Sequence, residues 1–552
     1  MGLLTDPRVG TGKMIKFLLK REKQLCFLLY IAGVIYTMIL AVPVFNEQTY
    51  FSENALLPGL VTKESNLDQT SKQFYYELLH EMKRYPDSMP YAWLSAKFNQ
   101  LHLDTFVHNF SLTYPFKQQK FTGQNIYGIV RAPKAASTEA IVVSVPFRPI
   151  NSVYLSTAPS VALLLAFAKF CRKQKYWAKD IIFLVTEYEQ LGMQAWLDAY
   201  HGVTSGQKGI LIAGDLPGHA GSIQAAINLE LHAMKISSID VKVEGLNGQL
   251  PNLDLFNLAQ NMIAKEEIQK TFQRKIDSTD TNKLKKWWYH FNTLMTMIAT
   301  QATGIPSGNH GLFHRFGIEA VTLEGFEKTD KGSKANFYQV GRVVESMVRS
   351  LNNLLERFHQ SYFFYLLPST ERYVSISIYM RPLALIVANL FIKAFSIWQQ
   401  LLAPVLQSDG KDNLQIQNIK AGIFCKSLLE LATTLICVAM CNFSLALLVA
   451  SVYVPAVLFI LQNITNIIII YFYGYRATKQ AFVFSIIDSM IYGNWFYNVT
   501  TSVMLPIWLL FWNIISIICI SSYLNILQKI NISFHSESKL KVYLKYSKRL
   551  NS

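Results

Sequence analysis

Three residues that could bind a metal ion or activate water stand next to predicted strands in the polar part of the chain. Glu189 follows the apolar run DIIFLVT, Glu230 stands near the end of IQAAINLEL, and His310 precedes EAVTLEG. In open α/β sheets, ligands bind beyond the carboxyl ends of the strands. Carboxylates and imidazoles are zinc ligands and proton acceptors in hydrolytic sites. The pattern therefore indicates a hydrolytic metal site or what remains of one.

The elements around these residues alternate between strands and helices. Strand-like runs such as DIIFLVT and EAVTLEG are separated by helical patterns such as APSVALLLAFAKFCRK and QLGMQAWLDAYH. The central strands are apolar on both faces, which is typical of a parallel sheet covered by helices. Residues 45–373 are therefore predicted to form an α/β domain with a largely parallel core sheet. Within it, NIYGIVRAP and EAIVVSVPF are expected to pair as a hairpin through KAAST.

This order of elements resembles the di-zinc aminopeptidase fold, and Glu189, Glu230 and His310 match three of that family's functional positions. The remaining positions do not match. The other metal ligands of that family would fall on Gln190, on the run Phe147, Arg148 and Pro149, and near Ser156 or Thr157.

Two zinc ions side by side need several anionic oxygens to neutralise them. Two carboxylates and one histidine are too few, and Arg148 would add repulsion. We therefore expect a degenerate site that binds no metal, in which Glu189 and Glu230 hydrogen-bond to neighbouring backbone. A single residual zinc ion is the alternative, and an active membrane-anchored zinc aminopeptidase is the competing function.

Cysteine chemistry is not indicated either. Of six cysteines, only Cys171 lies in the large polar region, where it stands in a helical pattern between Phe170 and Arg172. A buried structural thiol is the expected role, since no Cys/His pair for nucleophilic attack is visible. No catalytic residue and no cofactor are predicted.

Composition and charge indicate a membrane protein. The chain has 552 residues, of which 51% are hydrophobic and 16% charged, with a formal net charge of +16. Basic residues cluster at both ends, within 1–24 and 529–552. Such clusters beside apolar spans hold cytoplasmic ends in place, so we favour a membrane role over nucleic-acid binding.

The apolar stretches predict the following order along the chain. Residues 1–24 form a basic cytosolic segment, 25–44 a transmembrane signal anchor, 45–373 the luminal domain, 374–521 a multi-span membrane bundle of about five helices, and 522–552 a basic cytosolic tail. Both termini are then cytosolic. Five sequons occur, and Asn109 is expected to carry the glycan because it alone is luminal and far from the bilayer; the others are Asn442, Asn463, Asn498 and Asn531.

Several stretches resemble the GPI-anchor attachment protein family, the Gaa/GPAA subunit of the glycosylphosphatidylinositol (GPI) transamidase complex. They include SENALLPG, NIYGIVRAPKAASTEA, YWAKDIIFLVTE, VEGLNGQLPNLDL, NHGLF, NFSLALL and LPIWLLFWN. The resemblance implies a complex of the endoplasmic reticulum membrane in which a cysteine-protease-like partner cleaves proproteins and joins them to GPI. This chain would be a non-catalytic subunit that presents the GPI lipid and contacts the other subunits.

The resemblance also indicates where lipid would bind. The last span of the family is implicated in GPI recognition, and its proline matches Pro506. A proline near the start of a membrane helix produces a kink, and tryptophans prefer the interface. We therefore expect Pro506, Trp508, Trp512 and Asn513 to line the GPI site.

Two further expectations complete the sequence-based interpretation. Gly245, Gly248 and Pro251 predict a turn-rich surface loop over 243–257. We expect this loop to contact a partner subunit or substrate, and a mere connecting role is the alternative. A transporter is disfavoured because charges within the spans are few and no internal repeat is evident; the charges are Arg381, Lys393, Lys426 and Glu430.

Overall fold

A computed structural model describes residues 17, 19–57, 61–114, 119–133, 138–206, 209–277, 282–327, 334–402 and 411–463. The strands in these ranges are β1 Glu47–Gln48, β2 Asp104–Thr113, β3 Lys120–Val130, β4 Glu139–Pro146, β5 Asp180–Thr186, β6 Leu211–Ile212, β7 Ser222–Leu231, β8 Ser238–Lys242, β9 Gln269–Thr271, β10 Glu319–Phe326, β11 Tyr365–Ser369 and β12 Arg372–Ser375. The helices are α1 Glu22–Ile39, α2 Asp68–Arg84, α3 Tyr91–Gln100, α4 Ala158–Lys173, α5 Gln190–His201, α6 Leu253–Lys265, α7 Lys283–Ala302, α8 His310–Phe313, α9 Phe337–Asn352, α10 Ile376–Leu402, α11 Lys411–Cys441 and α12 Phe443–Asn463.

A mixed sheet forms the centre of the α/β domain. Within the described residues its strand order is β6-β2-β3-β5-β4-β7-β10-β8-β9. The four central strands β5, β4, β7 and β10 are parallel to one another, while β2, β3, β6 and β8 join antiparallel at the flanks. The predicted α/β class with a parallel core is confirmed. The carboxyl ends of the four central strands meet at one edge of the sheet.

The expected hairpin between β3 and β4 is wrong. Strand β3 pairs with β2 on one side and with β5 on the other, so β5 separates it from β4. The reason is burial: all seven residues of β5 and seven of the eight in β4 are buried. Strands with two apolar faces are stabilised most in the middle of the sheet, between two layers of helices.

Helices cover both faces of this sheet. The side chains of β4 alternate between the faces: Ile141, Val143 and Val145 join the core beneath α4, α6 and α9. Ala140 and Val142 join the smaller core that includes Trp196 of α5 and its neighbours. This alternation follows from the period of two in a strand.

Apolar helices continue the chain at both ends of the domain. Helix α1 and the Ile376–Trp398 part of α10 are long and apolar enough to cross a membrane, and Phe443–Leu458 is a shorter apolar helix. Gly33 of α1 lies against α10, where an added Cβ would come within 2.7 Å of the Ile386 side chain. The Lys393 ammonium of α10 pairs with the Glu22 carboxylate of α1. The predicted domain boundaries remain predictions, and residues 464–552 lie outside the described part.

Polar contacts join the α/β domain to the apolar helices. Gln301, near the end of α7, donates from Nε2 to the Gly248 carbonyl at 2.7 Å. Its Oε1 accepts from Ser444 Oγ at 2.6 Å, and its backbone carbonyl accepts from Asn442 Nδ2 at 2.8 Å. Gln301, Asn442 and Ser444 are buried. The sequon residue Asn442 is therefore committed to a buried junction.

We predict that Gln301→Leu destabilises the full chain. The leucine leaves the Gly248 carbonyl and the Ser444 hydroxyl without their partners, and each unsatisfied buried group costs roughly 1–3 kcal/mol. The apparent melting temperature of the detergent-solubilised chain should fall by several degrees. Gln249→Leu, which replaces an exposed glutamine in the same loop, is the matched control and should have little effect. An equal response of the two variants would show that the junction does not stabilise the protein.

Candidate functional site

Charged residues gather where the central strands end. Arg148 lies two residues beyond β4, Glu189 lies three residues beyond β5, and Glu230 lies at the end of β7. Glu324 of β10 stands directly opposite Glu230 in the parallel register. The ends of the strands thus bring Glu189 and Glu230 together, as the sequence predicted. They also place Arg148 and Glu324 beside these two residues.

The Arg148 guanidinium binds both predicted carboxylates. Its Nε donates to Glu189 Oε1 at 2.5 Å, and its Nη2 donates to Glu189 Oε2 at 3.2 Å and to Glu230 Oε2 at 2.9 Å. Arg148 and Glu230 are buried. The expectation that Glu189 and Glu230 bond to neighbouring backbone is therefore wrong. Their side chains neutralise a buried cation, because a desolvated guanidinium needs opposite charges and hydrogen-bond acceptors.

His310 is connected to Glu230 through hydrogen bonds between uncharged side chains. Asn228 donates to Glu230 Oε1 at 3.0 Å and to Thr322 Oγ1 at 3.1 Å. Thr322 Oγ1 in turn lies 2.8 Å from Nδ1 of His310. His310 thus reaches Glu230 through two intervening side chains and not by direct contact. Burial lowers the pKa of His310 well below its usual value, so the ring is neutral at physiological pH.

A second cation occupies the neighbouring space. The Lys242 ammonium lies 3.0 Å from a Glu324 oxygen and 3.9 Å from a Glu230 oxygen. His232 and Arg274 also contact Glu324, each at 3.4 Å. Burial opposes ionisation, but the His232 hydrogen bond and the Lys242 charge outweigh it and lower the pKa of Glu324 to about 2. Sequence reasoning missed this group, since Glu324 stands within an apolar strand and only the register places it beside Glu230.

The residues at this edge do not fit a di-zinc centre. Gln190 directs its amide to the Pro306 carbonyl at 3.3 Å, and the Thr157 hydroxyl donates to the Pro146 carbonyl at 2.6 Å. Glu230, His232 and Glu324 do bring three possible ligand atoms within 4.8 Å of one another. However, Arg148 and Lys242 already supply the positive charge there, and an additional cation would be repelled.

The segment 243–257 is not the surface loop that its composition suggested. Its residues are mostly buried, apart from Asn247, which is half-buried, and Gln249, which is exposed. Gly248 adopts φ +74°, and a Cβ at this position would lie 2.9 Å from Asn442 Nδ2 and 2.8 Å from the Gln301 side chain. Asn252 caps α6 by accepting from the Asp254 N–H at 2.9 Å. The segment is thus an internal connection between the α/β domain and the apolar helices.

The other predicted site residues fall into two groups. Asn109 lies on β2 with its side chain exposed, so it is accessible to modification, and a glycan there remains a prediction. The predicted lipid-binding residues lie outside the described part of the chain: Pro506, Trp508, Trp512 and Asn513.

Together these features define a class of protein: an α/β domain with a largely parallel core sheet, charged residues paired with one another at the strand ends, and apolar helices on both sides in sequence. Residues 122–421 match the family described as Gaa1-like, GPI transamidase component. The chain belongs to this family, as the sequence resemblance indicated.

Two fungal relatives show how far this similarity extends. The chain is 30% identical to the GPI transamidase component GAA1 of Saccharomyces cerevisiae over 67% of its own length and 56% of the yeast protein. It is 29% identical to the GPI transamidase component gaa1 of Schizosaccharomyces pombe over 68% of its own length and 65% of that protein. The chain thus spans less than two thirds of the length of either relative.

Solved structures with low sequence identity are also similar to about half of the chain. A zinc aminopeptidase from Bacillus subtilis is 10% identical, with a TM-score of 0.35 over 54% of this chain and 99% of that one. A glutaminyl cyclase from Porphyromonas gingivalis is 13% identical, with a TM-score of 0.34 over 52% of this chain and 99% of that one.

We predict that Arg148→Met destabilises the domain by about 3 kcal/mol, the lower end of the usual cost of removing one partner from a buried ion pair. Lys242 remains near Glu230 and limits the cost. Adding Glu189→Gln and Glu230→Gln to Arg148→Met should restore part of the stability, because the unpaired charges are then gone. Thermal unfolding of the solubilised chain measures both effects.

The exposed pair of Arg84 with Glu81 provides the control, and Arg84→Met should change stability by less than about 0.5 kcal/mol. If Arg148→Met behaved like Arg84→Met, the ion pairs at the strand ends would not stabilise the domain.

Proposed function

We propose that this protein is a non-catalytic subunit of a GPI transamidase complex, in which it presents the GPI lipid and holds other subunits in place. Membership of the Gaa1-like family supports the assignment to the complex. The observation that carries the non-catalytic role is the pairing of Arg148 with Glu189 and Glu230. The two carboxylates that would have to bind metal and activate water are committed to an internal cation.

Peptide-bond cleavage and transfer therefore belong to a partner, which we take to be a cysteine-protease-like subunit. Cys171, the cysteine within residues 45–373, is not suited to nucleophilic attack. Cys171 is fully buried in α4, and burial raises the pKa of its thiol well above the usual value. A thiol in such surroundings carries almost no thiolate at neutral pH. Proprotein substrates and the GPI lipid would be shared between the two subunits.

The proposed location is the endoplasmic reticulum membrane, with the α/β domain in the lumen and both termini in the cytosol. The basic residues before α1 and in the C-terminal tail support this orientation. The exposed Asn109 is then on the glycosylated side, which is consistent with its use as an acceptor.

Affinity purification of the full chain from mild detergent tests the assignment to the complex. We expect a cysteine-protease-like subunit to co-purify in a fixed ratio, and mass spectrometry of the same preparation reports whether Asn109 carries a glycan. Recovery of the chain without any such subunit, from cells that display GPI-anchored proteins normally, would contradict the proposal.

The competing function, an active zinc aminopeptidase, makes the opposite prediction about metal. We expect the purified chain to contain much less than one zinc ion per molecule and to show no peptidase turnover. Glu189→Gln should leave the display of GPI-anchored proteins intact in cells that lack the native subunit, since Glu189 here is an ion-pair partner and not a base. Stoichiometric zinc, with turnover that Glu189→Gln abolishes, would establish the peptidase instead.

We further propose that the GPI lipid contacts the last apolar span through Pro506, Trp508, Trp512 and Asn513. The sequence of this span supports the proposal: a proline near its start removes one backbone hydrogen bond and kinks the helix. Two tryptophans follow within two turns, and such side chains favour the interface where a glycolipid headgroup begins.

Pro506→Leu should therefore leave assembly of the complex intact and reduce the GPI that co-purifies with it severalfold. Pro455→Leu, which changes a proline inside the apolar helix α12, is the matched control and should retain GPI. Equal GPI recovery from Pro506→Leu and the unmodified chain would place the lipid site elsewhere. Equal losses in both variants would indicate a general effect of helix straightening.

A further inference from the structure

The first two turns of α7 combine cationic and apolar side chains on the surface of the protein. Lys283, Lys285 and Lys286 are exposed, and none of them forms an ion pair with another described residue. Between and after them, Leu284 is 75% exposed and Trp288 is 58% exposed. An exposed leucine and tryptophan one helical turn apart are costly in water, so this surface is suited to an apolar environment.

Contacts at both ends of α7 fix its position on the apolar helices. Near its start, the Trp287 indole donates to the Met38 carbonyl at 3.1 Å, one residue before α1 ends. Near its end, Gln301 bonds to Asn442 and to Ser444, where α12 begins. These two anchor points are about 21 Å apart along the helix at 1.5 Å per residue. Helix α1 is long and apolar enough to cross a membrane, and α12 contains a shorter apolar helix. With both in a membrane, a helix that contacts them at the same end lies along the membrane surface.

The side-chain directions around α7 fit this position. At 100° per residue, Leu284, Trp288 and Phe291 share a narrow stripe, and Lys283 and Lys285 lie on either side of it. Trp287 stacks on Phe291 with ring centroids 5.5 Å apart and supports the stripe from the core side. An apolar stripe flanked by lysines is the pattern of helices that lie in the membrane interface, where the lysine stems reach outward to the headgroups.

We propose that the first two turns of α7 form an interfacial anchor in the leaflet on the side of the α/β domain. Leu284 and Trp288 insert among the lipids, and Lys283 and Lys285, on either side of the stripe, bind the phosphates of anionic phospholipids. Lys286 lies on the opposite face of the helix and takes no part. Tryptophan is enriched at this depth, and lysines are attracted to a surface that carries anionic headgroups. The proposal depends on the placement of α1 and α12 in a membrane and is independent of GPI binding.

Spin-label accessibility measures the depth of this segment directly. The full chain, with its native cysteines replaced by alanine, is reconstituted in nanodiscs of phosphatidylcholine containing about one fifth phosphatidylserine. Nitroxides are attached at Leu284→Cys, Trp288→Cys and Tyr76→Cys, the last being an exposed aromatic of α2 in the α/β domain.

We expect relaxation by oxygen to dominate at positions 284 and 288, and relaxation by a water-soluble nickel chelate to dominate at 76. Nickel dominance at 284 and 288 would place the helix in water and overturn the anchor. Low accessibility to both reagents would show that protein covers this face, which overturns it equally.

A charge-matched pair of variants tests the choice of lipid. The double variant Lys283→Gln, Lys285→Gln should retain severalfold less phosphatidylserine, relative to phosphatidylcholine, after extraction from the same lipid mixture. The control removes two exposed lysines of the α/β domain, Lys173 and Lys175, and should retain the unmodified ratio. An unchanged ratio in the first variant, or an equal fall in both, would contradict recognition of anionic phospholipid. The spin-label experiment does not depend on the folding of either variant.

Discussion

A buried carboxylate must have a nearby positive charge, and at this sheet edge the protein provides that charge itself. Glu230 and Glu324 stand side by side in register and are almost inaccessible to water. In a di-zinc hydrolase the compensating charge would come from metal ions; here it comes from Arg148 and Lys242. A guanidinium fixed by two carboxylates cannot activate water, and it keeps other cations away. The electrostatics of the site thus determine what the domain can do.

The same constraint couples the stability of the strand ends to these ion pairs. Removing one member of a buried ion pair leaves an uncompensated charge, which costs more than the pair itself contributes. Arg148 and Glu230 therefore stabilise the strand ends only as a set, together with Asn228 and Thr322. The set connects the ends of β4, β7 and β10 through charged and neutral hydrogen bonds.

Much of the fold could be predicted from sequence, because β5 and β7 are apolar on both faces and short runs of this kind are typical of buried strands. The meeting of Glu189 and Glu230 followed from parallel strands ending at one edge. The hairpin of β3 and β4 failed because short connections suggest neighbours, whereas burial placed β5 between them. The sequence indicated that Arg148 would repel metal ions. It could not predict the ion pairs of Arg148 with Glu189 and Glu230, because these residues are far apart in the chain and meet only in the folded domain. The surface location expected for the 243–257 segment was wrong, since glycines that allow close packing resemble glycines that form surface turns.

The contacts of the domain with the apolar helices extend this picture from the sheet to the membrane. Gln301, buried at the end of α7, connects the Gly248 segment to the start of α12. That segment leads through the Asn252 cap into α6, which packs beneath β8 and β10. A continuous path of buried hydrogen bonds and packed strands thus runs from the apolar helices to the ion pairs at the strand ends. Interiors packed at this density transmit displacement and do not absorb it. Contacts made by the apolar helices would therefore be transmitted to the position of the whole domain.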